Sequence, residues 1–279
     1  MATILDGKKL SEQILAEIEK EVKGLAKRPR LAIVLVGNDP ASRLYVGKKK
    51  EMGERLGIDV RLYEFPIDIS TKKLRAEVGR ICKLPGTSGV IVQLPLPKNV
   101  NTRSVLNAVT PDKDVDVLSE RASGALYTGH TPVLPPTVAG IVHLLDANNL
   151  DVQGNVVALV GFGKLVGKPA TFALAQRGAT LLVLNEYTQD LGSFTRQADV
   201  VIAGVGKPGL ITADMIKEGA VLLDAGDAQI DGKTTGDISP DAYEKSSYYT
   251  PVPGGIGPMT VAMLFKNLVM LASQTRNRP

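Results

Sequence analysis

The chain has 279 residues, 44% hydrophobic and 22% charged, with a net charge of +4, which excludes a disordered chain and fits one large domain or two modest ones. Only 4% of residues are aromatic and tryptophan is absent, so stacking platforms are scarce and no nucleic-acid partner is expected. Cys82 is the single cysteine, and His130 and His143 lie far apart, so no disulfide within the chain and no metal site is expected.

The opening "MATILDGKKLSEQI" lacks the apolar core of a signal peptide, and no apolar run reads as membrane-spanning; the expectation is a cytoplasmic protein without a membrane partner. Leu10, Ile14, Leu15, Ile18 and Val22 share one helical face and predict a helix from Gly7 to Leu25. "LAIVLVG", Leu31 to Gly37, is a continuous apolar run and predicts a strand buried on both faces. A helix follows, with Asp39 as N-cap, Pro40 in the first turn and Gly57 as its stop. "VRLYEF" reads as a strand, Ser70 to Leu84 as a helix, Gly89 to Pro97 as a third buried strand breaking into prolines, and Thr102 to Val109 as a helix. After a loose segment, Val138 to Asn149 reads as helix. Strands at Val156–Val160, Thr180–Leu184, Val200–Gly204 and Ala220–Asp224 then alternate with helices at Lys164–Arg177, Thr188–Arg196 and Thr212–Lys217. A long apolar helix closes the chain, from Met259 to about Ser273. Strands alternating with helices predict an α/β protein with two parallel sheets, one before about Pro135 and one after.

Two constellations stand out. Tyr45 and Lys49 are four residues apart, so they share a helix face just beyond the carboxyl end of a buried strand, where open parallel sheets place ligands. Gln93 and Leu94 end another strand, and Asp116 lies in the acidic loop "DKDVD". Spacing alone fits a lysine, an amide and a carboxylate converging at one sheet edge. It fits better a surface lysine, a strand-end amide and an N-capping aspartate. A desolvated lysine would have a lowered pKa and could exchange protons near neutrality. The second constellation is "TPVPGGIGPMT", Thr250 to Thr260, a stiff loop of glycines and prolines that opens a helix and suits close approach of a ligand.

Four blocks, "VGNDPASRLYVGKKK", "VIVQLPLP", "PDKDVDV" and "YYTPVPGGIGPMTVAML", together resemble, almost end to end, the bifunctional 5,10-methylenetetrahydrofolate dehydrogenase / 5,10-methenyltetrahydrofolate cyclohydrolase family. The resemblance implies a folate-binding catalytic domain over residues 1–134 plus 258–279, a Rossmann-like NAD(P) domain over 135–257, a cleft between them, and a homodimer. It implies tetrahydrofolate derivatives as substrates: methylenetetrahydrofolate is oxidised to methenyltetrahydrofolate, which is hydrolysed to 10-formyltetrahydrofolate. By the same resemblance Tyr45 stacks on the aminobenzoyl ring and Lys49 is the central catalytic residue. Gln93 sets the state of the lysine, Asp116 holds the pterin ring, and Leu94 with Pro253, Gly254, Gly255, Ile256 and Gly257 lines the folate site.

The nucleotide half departs from the family. "GFGKLVGKP" stands where G-R-S-x-x-V-G-x-P is usual, so Gly161, Val166, Gly167 and Pro169 match while Phe162 and Gly163 replace arginine and serine. That arginine faces the 2′-phosphate of NADP in the family. Asn185, Glu186 and Tyr187 replace a histidine, a serine and a basic residue, with Thr188 retained. An acid at the end of the second strand accepts hydrogen bonds from ribose hydroxyls and repels a 2′-phosphate, so NAD is expected over NADP. Alternatively, Glu186 faces solvent and a basic residue such as Lys164 holds the phosphate. Val117 stands where glycine is usual, "PPTVAGI" replaces P-C-T-P-x-G-I, and "LDAGDAQ" puts Asp227 near the nicotinamide half. Two other functional readings remain at this point: a cyclohydrolase with a decayed dehydrogenase half, and a non-catalytic folate- or dinucleotide-binding regulator.

Overall fold

The aliphatic runs of this chain pair in parallel, which suits strands buried on both faces; one short pair, Ala228–Ile230 with Lys233–Thr235, is antiparallel. The computed structural model describes residues 2–230 and 232–274. In chain order the elements begin with β1 (Thr3–Ile4), α1 (Gly7–Gly24), β2 (Arg30–Val36), α2 (Pro40–Arg55), β3 (Asp59–Phe65), α3 (Thr71–Cys82) and β4 (Thr87–Val92). There follow α4 (Thr102–Leu106), α5 (Glu120–Tyr127), α6 (Pro136–Ala147), β5 (Val156–Val160), α7 (Gly167–Ala175), β6 (Thr180–Leu184), α8 (Leu191–Thr195) and β7 (Val200–Ala203). The last are a 3₁₀ turn at Ala213–Met215, β8 (Val221–Asp224), β9 (Ala228–Ile230), β10 (Lys233–Thr235), α9 (Pro240–Lys245), β11 (Tyr248–Tyr249) and α10 (Ile256–Gln274).

Two compact units result. One comprises Gln13–Pro135 with Leu264–Pro279, of which residues 275–279 lie outside the described part. Its sheet is parallel in the order β3-β2-β4. Central β2 is buried from Leu31 to Val36, and Ala32, Val34 and Val36 pack with Val90 and Val92 of β4 and Leu74, Val78 and Ile81 of α3.

The other unit comprises Met1–Glu12 with Pro136–Met263, of which residues 1 and 231 lie outside the described part. Its parallel sheet runs β1-β11-β8-β7-β5-β6. Pairing sets the last residues of four strands, Leu184, Val160, Ala203 and Asp224, level at one edge. The chain reaches β6 on one side of β5 and returns to β7 on the other, so the topological switch point lies between β5 and β7. A buried cluster beneath includes Ala158, Val160, Val201, Ala203, Leu222 and Ile238.

The structure departs from the sequence reading in several places. The first twelve residues go with the C-terminal unit and not with the N-terminal one, because Thr3 and Ile4 pair with Tyr248 and Tyr249. A two-residue strand carries no periodicity from which to read this. The division within α10 falls at Met263/Leu264, a few residues past the expected 258. Helix α7 starts at Gly167 and not at Lys164, since the amide of Lys168 closes a turn on the carbonyl of Gly163 at 2.9 Å. Asp190 takes a left-handed φ of 47° and caps Ser193, which shortens the expected Thr188–Arg196 helix to α8. The expected Thr212–Lys217 helix is a single 3₁₀ turn, and the loose segment contains α5. Contrary to expectation, α10 is long and apolar enough, by length and composition, to cross a membrane. Most of its apolar side chains are core, with Met259, Phe265 and Leu268 fully buried, while Met270 is 39% exposed.

Helix α10 also carries a buried amide. Asn267 Nδ2 donates to the carbonyls of Val115 at 2.9 Å and Leu134 at 2.7 Å. Two carbonyl acceptors fix the amide's orientation, because only the NH₂ end can serve both. Asn267→Ala leaves the buried Val115 carbonyl and the half-buried Leu134 carbonyl without this donor and is expected to destabilise the protein by about 1–3 kcal/mol. Asn267→Asp, which presents acceptors to acceptors, is expected to be at least as damaging. Urea denaturation of the two variants checks both.

Candidate active site

Asp39 starts α2 by accepting the amide of Ser42 at 2.8 Å, with Pro40 in the first turn, as the sequence predicts. This fixes the helix phase, so Tyr45 and Lys49 lie on one face. Tyr45 is 44% exposed, with Lys48 Nζ 5.9 Å from its ring centroid. Lys49 turns inward: its Nζ donates to Gln93 Oε1 at 2.8 Å. Gln93 is buried just past β4; its own amide N–H bonds the Val34 carbonyl at 2.9 Å and its Nε2 bonds the Leu94 carbonyl at 2.8 Å. The side chain is thereby locked with its acceptor toward the lysine. The Leu94–Pro95 bond is cis.

Burial lowers the Lys49 pKa from the ordinary ammonium range, and the negative charge of Asp116 partly opposes this. Asp116 is pushed up to about 6, chiefly by burial and further by Asp114, with Lys49 pulling the other way. The lysine is shifted down and the carboxyl up, so burial moves the two groups toward each other in proton affinity. That suits proton exchange far better than a fully ionised surface pair.

The loop holding Asp116 is pinned on several sides. Asp114 accepts the amides of Leu118 at 3.2 Å and Ser119 at 2.8 Å, the amide of Val90 bonds the Lys113 carbonyl at 2.8 Å, and Asn267 holds Val115. Val117, where the family usually has glycine, keeps a left-handed φ of 57°. The substitution thus preserves the turn at the cost of backbone strain, roughly 1–2 kcal/mol for a residue with a Cβ. Among the described residues no group of three or more His, Cys, Asp or Glu could hold a metal.

In the C-terminal unit Gly161 follows β5 with φ of 110°, and a Cβ at Gly167 would lie 1.9 Å from the Gly161 carbonyl oxygen. Backbone therefore crosses backbone at the start of α7, and only glycine fits. Gly163, by contrast, has open space around it. This bare turn, leading into a helix amino end at the carboxyl edge of a parallel sheet, fits a dinucleotide pyrophosphate. Val166 is the residue before α7 and Phe162 is 44% exposed, with Lys168 Nζ 5.3 Å from its ring centroid. The Gly161 amide bonds the Leu184 carbonyl at 2.9 Å, which sets the turn after β6 alongside. In that turn Thr188 Oγ1 accepts the Asn185 amide at 2.9 Å, leaving Glu186 and Tyr187 exposed.

Asp227 is exposed, whereas Asp224, at the end of β8, is buried. Asp224 accepts the amides of Gly226, Asp237 and Ile238 at 2.9, 3.0 and 2.8 Å, while its own amide donates to Thr250 Oγ1 at 2.7 Å. Burial, opposed by those hydrogen bonds, pushes its pKa up to about 6. The Pro253–Gly257 loop follows in the same unit; Gly254 has φ of 112°, its carbonyl accepts the Lys8 amide at 2.8 Å, and Val252–Pro253 is cis. Sequence reasoning missed Asn267, Asp224 and Asp237. Asn267 and Asp237 act on backbone far away in sequence and Asp224 on amides two, 13 and 14 residues on, and no local spacing marks that.

A two-domain α/β enzyme is defined by these features: one unit with a desolvated lysine beside a carboxylate, the other with a dinucleotide-binding parallel sheet. Comparison with known proteins agrees. Residues 135–276 match the family model for the tetrahydrofolate dehydrogenase/cyclohydrolase NAD(P)-binding domain, and residues 5–116 match that for its catalytic domain. The chain is 43% identical over 278 residues to the bifunctional protein FolD of a Nitratiruptor species, covering 98% of this chain and 99% of the relative. Among solved structures it is similar to the bifunctional FolD of Campylobacter jejuni, with a TM-score of 0.96, 37% identity, and coverage of 99% and 100%. It is also similar to the Trypanosoma brucei FolD complexed with NADP cofactor and inhibitor, with a TM-score of 0.94, 30% identity, and 99% of each chain covered. The chain belongs to the tetrahydrofolate dehydrogenase/cyclohydrolase family. With both of the family's domains present, it is a dehydrogenase/cyclohydrolase of folate-linked one-carbon metabolism.

The Asp116 carboxyl holds its proton more tightly in the folded protein, at about 6, than in the unfolded chain, at about 4. Stability therefore falls as pH rises between those values, and the deficit persists above them. Asp116→Asn is expected to raise stability by about 1–3 kcal/mol at pH 7.5, with the gain vanishing near pH 4. Paired urea denaturation curves at the two pH values check the sign and the trend.

Proposed function

We propose that Lys49 carries the cyclohydrolase half of the activity and that the dehydrogenase half favours NAD over NADP. The hydrogen bond of 2.8 Å from Lys49 Nζ to Gln93 Oε1, in a desolvated setting beside Asp116, supports the first part. A bound nicotinamide would supply hydride acceptance from the methylene bridge of the folate. What this chain's residues contribute is position and protons. Tyr45 offers an exposed ring face to the aminobenzoyl group, and Asp116 meets the pterin. When water adds to the cationic methenyl carbon, a proton must leave and a ring nitrogen must be released. Lys49, its ammonium destabilised by burial, takes up and returns that proton; Gln93, a neutral acceptor, orients the amine without locking the charge on it.

The cofactor preference rests on side chains at the mouth of the glycine turn. Phe162 supplies no charge where the family has arginine, and Glu186 is exposed in the turn held beside Gly161. An anion there accepts ribose hydroxyls and opposes a 2′-phosphate. A second reading rests on Lys168, whose ammonium lies over the Phe162 ring and is a candidate phosphate partner.

Lys49→Met is expected to lower methenyltetrahydrofolate hydrolysis, followed by absorbance without nucleotide, on the order of 100-fold or more. Hydrolysis at the parental rate would remove Lys49 from its proposed role. The double variant Phe162→Arg with Glu186→Ser is expected to shift the NADP/NAD ratio of kcat/KM upward by roughly 10- to 100-fold. Strong NADP use by the parent that collapses in Lys168→Ala would instead assign the phosphate to Lys168.

A further inference from the structure

Asp237 is fully buried, lies outside the four blocks and the glycine turn singled out in the sequence, and holds a loop it is far from in sequence. Its Oδ2 accepts the amides of Val205 at 2.6 Å and Gly206 at 3.1 Å, 32 and 31 residues away. Those two amides belong to the segment that follows β7, at the switch point of the sheet. There the Gly204 amide bonds the Val160 carbonyl at 3.0 Å, and a Cβ on Gly161 would lie 2.6 Å from Val205 Cγ1 and 2.9 Å from the Gly204 carbonyl oxygen. The loop after β7 and the glycine turn are thus in van der Waals contact, and the position of one limits the other.

The remaining contacts of Asp237 are backbone: its amide donates to Asp224 Oδ1 at 3.0 Å and its carbonyl accepts the Ile211 amide at 3.0 Å. Its second oxygen, Oδ1, is buried without a hydrogen-bond partner, and a Cβ at Gly226 would lie 2.7 Å from it. A buried carboxylate with a partnerless oxygen beside a second carboxylate is unfavourable for stability. What the carboxylate supplies in return is position, because its paired oxygen holds two loop amides at once.

We infer that Asp237 is a positioning residue for the dinucleotide: through the Val205 and Gly206 amides it sets the β7 loop against the glycine turn at the switch-point crevice. It touches no ligand itself. The inference rests on the assignment of the C-terminal unit as the dinucleotide domain.

The test compares Asp237→Ala and Asp237→Asn with the parent by three readouts. These are the Kd for NADH and NADPH by fluorescence titration, amide hydrogen exchange of residues 204–209 without nucleotide, and methenyltetrahydrofolate hydrolysis without nucleotide. In Asp237→Ala, dinucleotide binding is expected to weaken on the order of 10- to 100-fold, the Val205 and Gly206 amides to lose protection, and hydrolysis to persist. Asparagine keeps an acceptor oxygen for both amides and is expected to restore binding and protection. Unchanged Kd in Asp237→Ala overturns the inference. So does asparagine weakening binding as much as alanine while residues 204–209 stay protected, since charge and not position would then matter. If the alanine variant does not fold, the parent decides: fast exchange at Val205 and Gly206 overturns the inference, and slow exchange with restored binding in Asp237→Asn supports it. Failure of the parent to bind either dinucleotide would instead reject the domain assignment.

Discussion

Desolvation of one ammonium group is the constraint around which the N-terminal unit is arranged. A lysine amine drawn out of water loses hydration that only nearby polar groups can replace. The chain supplies a neutral amide oxygen in contact, 2.8 Å away, and keeps the carboxylate of Asp116 as a Coulombic neighbour. A carboxylate in direct contact would stabilise the ammonium and hold its pKa high. A neutral acceptor leaves burial as the larger effect, so the pKa stays lowered. The loop around Asp116 serves the same end, since Asp114, the Val90 amide and Asn267 all hold its backbone.

In the C-terminal unit the controlling constraint is register. Four parallel strands end level, so the loops that follow them leave one edge together. Loops have few partners of their own, and buried backbone amides there need acceptors. Asp224 and Asp237 supply them, and both carboxylates are almost fully buried. Thr250 joins the same network and begins the segment that leads into the Pro253–Gly257 loop. Polar side chains from distant segments thus do for the loops what the ladder does for the strands.

That arrangement explains how much was legible in the sequence. Runs such as "LAIVLVG" announce buried parallel strands because every side chain must be apolar, and Asp39-Pro40 announces a helix start through local capping chemistry. Lys49, Gln93 and Asp116 come from separate blocks, and spacing alone left open whether they meet; family resemblance tipped the reading, and the lysine–amide contact now bears on it directly. The overlong helices failed for local reasons: Asp190 in a left-handed conformation, and a turn closed on Gly163. The N-terminal strand failed for a nonlocal one, because two residues beside β11 carry no period. Asn267, Asp224 and Asp237 were invisible because a buried anchor is defined by a carbonyl or amide elsewhere. Asp227 drew notice only because it stands in a familiar stretch, one turn past the carboxylate that the fold buries.

The two units differ in how freely their chemistry can change. Phe162 is 44% exposed and Tyr187 83% exposed, and Glu186 beside it faces outward, so the side chains proposed to choose the cofactor carry little of the packing. Substitutions there are nearly neutral for stability. Gly161 and Gly167, beneath them, admit no side chain at all, because backbone meets backbone. Cofactor preference can therefore drift on a fixed pyrophosphate cradle. The lysine setting has no such surface layer: altering Gln93 or Asp116 changes the solvation of a buried charge and the proton affinity that the chemistry uses. On this argument the pattern of departures in the chain, a rewritten nucleotide rim beside an intact lysine constellation, is what the energetics of the two sites permit, and it does not require that either activity be lost.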